Sequence, residues 1–111
     1  MRIKQYDIWL ADLNPQKGTE PGKVRPVVIV QTDLLNEFHP STIICPITTN
    51  VRPDLGILRV HLIKDQLDLL SDILVDQLRS IDNRRLVKKL GKLNTNQKKV
   101  LRKNLGILLD I

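Results

Sequence analysis

Arg25 and Thr48 each stand where a short apolar run meets polar residues, in Lys23-Val24-Arg25-Pro26-Val27-Val28-Ile29-Val30 and Ile43-Ile44-Cys45-Pro46-Ile47-Thr48-Thr49-Asn50. Runs of this kind form strands, so two strand ends each present one polar side chain. A third segment, Ile73 to Asp82, adds a carboxylate, an amide and a second guanidinium in Asp76, Gln77 and Arg79. Arg25 offers a planar fork of donors matched to phosphate oxygens, and Pro26 restrains the backbone beside it. The Thr48 hydroxyl can donate to the same anion. Together these groups suit a phosphodiester gripped without any metal. Taken singly each is bland: an arginine before proline is usually solvated or in a surface ion pair, and a threonine favours strands anyway. Asp76, Gln77 and Arg79 equally suit a structural polar network among strand ends.

Other chemistries find less support. His39 and His61 could form an acid–base pair, but His61 alternates out of a strand face and His39 lies in a loop before Pro40, so no such pair is expected. Asp65, Asp68 and Asp72 are spaced 3 and 4 apart with leucines between them, which reads as an exposed helical face rather than a metal site. The single cysteine excludes an internal disulfide and a Cys-based zinc site, and Cys45 lies inside an apolar run as an inert core residue. A glycine-rich phosphate loop and a dinucleotide fingerprint are both missing, so no cofactor and no metal are expected.

These groups must be positioned by a small scaffold. At 111 residues the chain allows a single domain over 1–111, with a shallow site rather than a deep cleft. Lys and Arg number 18 against 12 Asp and Glu, and the formal net charge of +6 favours a polyanionic partner such as nucleic acid. An N-terminal apolar leader and an apolar stretch of about 18 residues are both lacking, so the expectation is a cytoplasmic protein without a membrane partner. The stretch from Asn14 to Pro26 holds Pro15, Gly18, Pro21 and Gly22 and is loop-length; it reads as a functional loop carrying Thr19, Glu20 and Lys23 toward Arg25.

Strand-like runs recur at Ile8 to Leu13, Val27 to Val30, Thr42 to Ile47, Leu58 to Leu62 and Ile73 to Val75, which predicts a mainly β protein. Val60 and Leu62 alternate with Arg59 and His61, the pattern of a strand with one face on the core. Asn94 followed by Gln97 forms a capping-box signature, and Leu101, Leu105 and Leu108 then repeat at helical spacing, predicting a C-terminal helix over Thr95 to Leu109. Gly106 within it weakens the outer end by about 1 kcal/mol relative to alanine. After Asp82 the pattern is ambiguous: Asp82 can cap a helix that periodicity would carry to Leu90, yet Gly91 interrupts it.

The order of these pieces resembles the MazF/PemK family of toxin endoribonucleases. Asp7-Ile8-Trp9, Gly18-Thr19-Glu20, Arg25-Pro26, Pro40-Ser41-Thr42, Pro46-Ile47-Thr48 and Asp76 to Asp82 follow the family's segments in sequence, from Asp7 to the C-terminus. The resemblance implies an SH3-like small β-barrel with a C-terminal helix, of the CcdB/PemK toxin fold, assembled as a homodimer. It also implies a short strand from Val87 to Leu93 after a brief turn. The implied activity is sequence-specific, metal-independent cleavage of single-stranded RNA, mRNA above all. Attack by the substrate's own 2′-hydroxyl would leave a 2′,3′-cyclic phosphate and a 5′-hydroxyl. Arg25 and Thr48 are the catalytic pair, and Thr19, Glu20, Lys23, Asp76, Gln77 and Arg79 are the substrate-binding set. The implied partner is a cognate antitoxin whose acidic, disordered tail folds onto the basic groove. The chain departs from the Kid-like members, which use a histidine in the first loop and an arginine two residues before the Asp-Gln pair: Thr19 and Leu74 stand there, so a His/Arg/Asp chemistry does not carry over. Tyr6 stands where the family usually has glycine. Two rival readings are a gyrase-binding toxin of the CcdB kind, which needs a tryptophan near the C-terminus where this chain ends Leu109-Asp110-Ile111, and a non-catalytic RNA-binding barrel, for which Tyr6, Trp9 and Phe38 are the whole aromatic supply.

Overall fold

A computed structural model describes residues 2–15, 18–19, 23–63 and 66–111. Among these residues seven strands form one antiparallel sheet: β1 (Asp7–Asp12), β2 (Val24–Ile29), β3 (Ser41–Thr48), β4 (Arg59–Leu62), β5 (Ser71–Leu74), β6 (Arg79–Asp82) and β7 (Leu86–Lys92). A short helix α1 (Asp33–Asn36) and a C-terminal helix α2 (Thr95–Leu109) complete the order. The spatial order is β4-β5-β3-β2-β1-β7, with β6 paired to β3 beside β5. The mainly β class with a C-terminal helix is therefore as expected.

β3 organises the sheet. One edge pairs with β2 through Val27↔Pro46, Val28↔Cys45 and Ile29↔Ile44. Its other edge is shared: residues 41–44 pair with β6, and Ile47 and Thr48 pair with Ile73 and Asp72 of β5. A single 3-10 turn, Val75–Gln77, carries the chain from β5 to β6. Because side chains alternate along a strand, the sheet has two apolar faces. Ile8, Val28, Cys45, Ile47, Val60, Leu62 and Ile73 pack with Leu101 of α2 on one, and Trp9, Ala11, Val27, Ile29, Ile44 and Ile81 form the other.

The predicted capping box is present: Asn94 Oδ1 accepts from Gln97 N–H at 2.8 Å and Gln97 Oε1 from Asn94 N–H at 3.0 Å. Gln97, Leu101 and Asn104 are the buried stripe of α2, and Asn104 Nδ2 donates to Gly56 O and Arg59 O, which ties the helix to the start of β4. The helix runs over Thr95–Leu109 as predicted, and its end is closed by Asp110 at φ 56° while Ile111 N–H donates back to Gly106 O.

The ambiguity after Asp82 is resolved as one short helical turn followed by a strand, and other elements differ from the sequence reading. After Asp82 a 3-10 turn (Asn83–Arg85), capped by the Asp82 side chain, leads into β7, so the strand implied by the resemblance forms and the helix to Leu90 does not. β6 and α1 were not anticipated; each is four residues long, too short for a hydrophobic period to register. Asp72 does not lie on an exposed helical face with Asp68. It sits in β5 and is fully buried, because pairing with β3 and β4 overrides the helix-like leucine spacing before it. Asp65 falls outside the described residues.

Candidate functional site

The β1–β2 connection is drawn tight just before Arg25. Leu13 N–H donates to Lys23 O at 2.9 Å, Lys23 N–H to Asn14 Oδ1 at 2.7 Å, and the Arg85 guanidinium to Asp12 O at 3.0 Å and to Asn14 O. Lys23 adopts φ 66° and Gly18 φ 55°, both left-handed conformations. Thr19 and Lys23 are exposed on this loop, and Glu20 falls outside the described residues.

From this neck the chain enters β2 with Arg25 opposite Ala11 of β1. The β2–β3 register, carried two residues beyond Val27↔Pro46, sets Arg25 opposite Thr48. Thr48 in turn pairs with Asp72, and Asp72 with His61 of β4. Residues paired across a sheet share a face, so Arg25, Thr48, Asp72 and His61 form one row across four strands, on the face away from α2. Arg25 and Thr48 are half-buried, and Thr48 Oγ1 accepts from Asn50 N–H at 3.1 Å, which leaves the hydroxyl proton available to donate.

The far half of the row is a charged cluster. Asp72 Oδ1 meets His61 Nδ1 at 2.6 Å, while its Oδ2 accepts from Arg59 Nη1 at 3.1 Å and from Arg52 N–H at 2.9 Å. Burial pushes the Asp72 carboxyl up, but the hydrogen bonds from Arg52, His61 and Arg59 together outweigh it and hold the group below the ordinary carboxylate value. The His61 side chain is 47 % exposed above a carboxylate that has no exposure at all. His39 lies elsewhere, against Ser41, so the two histidines do not meet. Burial pushes the Cys45 thiol up to about 12, with Asp76 adding to the shift, so it is an inert core thiol as expected.

The remaining sequence candidates distribute along β3. Arg79 opens β6 opposite Ile44, four β3 residues and about 13 Å from the Thr48 row. Asp76 and Gln77 lie on the 3-10 turn between, Asp76 exposed and Gln77 half-buried. Arg25 and Thr48 thus stand on the neighbouring strands β2 and β3, Thr19 and Lys23 on the β1–β2 connection, and Asp76, Gln77 and Arg79 on the 3-10 turn and β6 beside β3. A cleft of about 330 Å³ is lined by Pro26, Thr49, Gln66 and Leu67, among others, and not by Arg25 or Thr48. Sequence reasoning missed the Arg59–His61–Asp72 cluster. Its signal was the outward placing of Arg59 and His61, which gave no hint of what lay on the next strand.

Comparison with known proteins places the fold and the family. A family described as PemK-like, MazF-like toxin of type II toxin-antitoxin system matches residues 4–109. The Endoribonuclease MazF of Staphylococcus saprophyticus subsp. saprophyticus is 35% identical over 111 residues, covering 98% of this chain and 92% of its own. Among solved structures, the Mycobacterium tuberculosis toxin MazF-mt6 is 25% identical with a TM-score of 0.79, over 95% of this chain and 97% of that one. MazF from Deinococcus radiodurans is 24% identical with a TM-score of 0.86, over 100% and 99% of the two chains, and shares the fold. With residues 4–109 matched by the family and 98% of the chain aligned to a relative 35% identical, this protein belongs to the PemK-like, MazF-like toxins of type II toxin–antitoxin systems.

Proposed function

We propose that the protein is a sequence-specific, metal-independent endoribonuclease that cuts single-stranded RNA in the cytoplasm, leaving 2′,3′-cyclic phosphate and 5′-hydroxyl ends. What supports this reading is that Arg25 and Thr48 stand on the paired strands β2 and β3, whose register carried beyond Val27↔Pro46 would set them level, in a chain 35% identical to a curated endoribonuclease. In such a cleavage the nucleophile belongs to the substrate. The protein has to orient the 2′-hydroxyl, stabilise the charge that develops on the phosphorane oxygens and let the 5′-oxygen leave. The Arg25 fork and the Thr48 hydroxyl are donors aimed at those oxygens. A guanidinium is a hydrogen-bond donor with no accepting lone pair, so the role proposed for Arg25 is electrostatic.

Thr19, Glu20 and Lys23 on the loop and Asp76, Gln77 and Arg79 along the β3 edge serve substrate binding. Unpaired bases expose their Watson–Crick edges to the Asp76 and Gln77 side chains, while Lys23 and Arg79 hold phosphates. The protein acts as a homodimer, and an antitoxin with an acidic, disordered tail occupies the same basic surface; MazE–MazF complexes are known for the Deinococcus radiodurans relative. A stacking, non-catalytic barrel is not favoured, because Trp9 is buried in the sheet and Lys98 covers the Tyr6 ring at 5.5 Å, which leaves the exposed Phe38 as a single platform for bases. Incubation of the purified protein with a long transcript in EDTA, followed by mapping of both ends at each break, tests the function. Discrete cuts ending in cyclic phosphate and 5′-hydroxyl are expected, and an intact transcript would refute it.

A further inference from the structure

The β1–β2 connection delivers Lys23, Val24 and then Arg25, and its neck is gripped by a side chain from the far side of β1. Asn83, Arg84 and Arg85 form the 3-10 turn between β6 and β7. That turn is anchored at the start of β3: Asn83 N–H donates to Pro40 O at 3.1 Å, Asn83 Nδ2 to His39 O at 2.8 Å, and the Thr42 hydroxyl to Asn83 Oδ1. With three residues per turn, neighbouring side chains point apart. Arg84 folds back on Asp82 through two bonds of 3.0 Å, whereas half-buried Arg85 reaches the neck, where its Nη1 donates to Asp12 O at 3.0 Å and to Asn14 O. Asn14 is the hub there. Its N–H donates to Asp12 Oδ1 at 3.0 Å, its Oδ1 accepts from Lys23 N–H at 2.7 Å, and Leu13 N–H beside it donates to Lys23 O at 2.9 Å. Asp12 itself pairs with Val24, the residue before Arg25. Ala11 pairs with Leu86 on one side and Arg25 on the other, so the β7 end that carries Arg85 stands two strand spacings, roughly 10 Å, from Arg25. The link between the two arginines therefore runs through the neck and the Asp12–Val24 pair.

We propose that Arg85 is a positioning residue for Arg25: by bridging Asp12 O and Asn14 O it fixes the neck from which β2 starts, an assignment that rests on the endoribonuclease reading above. The bridge springs from a turn anchored on β3, the strand of Thr48, so it sets the entry of β2 relative to that strand. Donors aimed at developing charge act only where they are held, and a displacement of about 1 Å caused far from the chemistry costs about 10²-fold. Arginine suits the task because one planar nitrogen donates two hydrogens in fixed directions. A lysine at the same place keeps the charge but ends one bond short of the two carbonyls. The competing role for a half-buried cation on a basic protein is a direct phosphate contact, which depends on charge and not on the bridge.

The test compares wild type with Arg85→Met, which keeps the apolar stem but removes donors and charge, and with Arg85→Lys, which keeps the charge. Each is assayed by single-turnover cleavage, in EDTA and at saturating protein, of a synthetic RNA spanning one mapped cut site. Circular dichroism melts set a temperature at which every variant is folded, and binding of the same RNA with a 2′-deoxy sugar at the cut is followed across a salt series. Both variants should cut about 10- to 10²-fold more slowly while binding the deoxy RNA within about twofold of wild type. Asn14→Ala, which releases Lys23 N–H from the same neck, should slow cleavage too. Combined with Arg85→Met it should stay within about threefold of the slower single variant, because both changes loosen one structure. Wild-type rate in folded Arg85→Met or Arg85→Lys overturns the proposal, as do rate losses that multiply in the double variant. A binding loss in Arg85→Met that Arg85→Lys restores, with the salt slope lowered by about 0.7, makes Arg85 a phosphate contact and overturns it as well. If Arg85→Met does not fold, Arg85→Lys alone and combined with Asn14→Ala decides. A wild-type protein that leaves the RNA intact overturns the endoribonuclease reading itself, whereas the Arg85 assignment fails only against an active wild type.

Discussion

At Arg25 shape matters as much as charge. A guanidinium donates two parallel hydrogen bonds to a phosphate, whereas an ammonium is a point charge on a flexible stem. Arg25→Ala is expected to abolish cleavage while leaving the circular dichroism spectrum and the oligomeric state unchanged, and Arg25→Lys to fail substantially as well. Thr48→Ala, which removes one transition-state donor, should slow the reaction by about 10²-fold or more. A well-folded Arg25→Ala protein that cuts at the wild-type rate would remove the residue from the site. Lys23 presents the opposite balance, because its φ of 66° is a conformation that costs a side chain energy and suits glycine. Lys23→Gly should stabilise the exposed loop neck by about 0.5–1 kcal/mol, after allowing for the greater freedom of glycine in the unfolded chain. The same change should lower RNA affinity and reduce the log–log salt slope by about 0.7, the amount expected for one lost phosphate contact on a single strand. Thermal melts and salt-titrated binding read the two effects separately.

The β4–β5 hairpin is held by polar contacts as well as by its core face. Asp72 receives Arg59, His61 and the backbone of Arg52, so it fastens the edge strand and the preceding loop to β5. Its folded-state pKa is depressed, so its contribution to stability is full above the unfolded carboxylate value of about 3.9 and is lost as pH falls through the folded-state value. Asp72→Ala strands Arg59, whose side chain is only 13% exposed, and should cost about 3–5 kcal/mol at neutral pH. Urea unfolding of wild type and variant should converge as the pH is taken below the carboxylate range; an equal gap at acid and neutral pH would contradict the linkage. The 3-10 turn sets Gln77 beside β3 without burying it, the placement the proposed base-reading role needs. Gln77→Ala should shift the preferred cut sequence across a transcript more than it lowers total RNA affinity. Unchanged cut sites with weakened binding would make Gln77 a backbone contact instead.

For the molecule as a whole, the net charge of +6 governs association. Exposed charge pairs are screened by salt, so both RNA and an acidic antitoxin segment should bind less tightly as ionic strength rises. If the two ligands share one basic surface, titrating an acidic antitoxin peptide into a complex of RNA with the inactive Arg25→Ala protein should release RNA as the peptide binds. A stable ternary complex on one surface would separate the two sites.

What the sequence by itself determined about this protein is what local chemistry dictates. The C-terminal helix was legible to the residue, because Asn94, Gln97 and the leucine spacing act within a few residues of one another. The main strands were legible as Val-, Ile- and Leu-rich runs between turn residues, and so were the positions of Arg25 on β2 and Thr48 on β3. The left-handed conformations of Tyr6 (φ 71°) and Lys23 were not, since neither residue type advertises one. β6 was hidden because Arg-Ser-Ile-Asp carries a single apolar residue and becomes a strand only when β3 offers its edge. The Arg59–His61–Asp72 cluster was the tertiary structure's alone to decide. Asp72 follows a leucine-rich stretch of helical spacing, and its meeting with His61 depends on the register between β4 and β5, a non-local pairing in which a slip of one residue would turn the carboxylate to the other face.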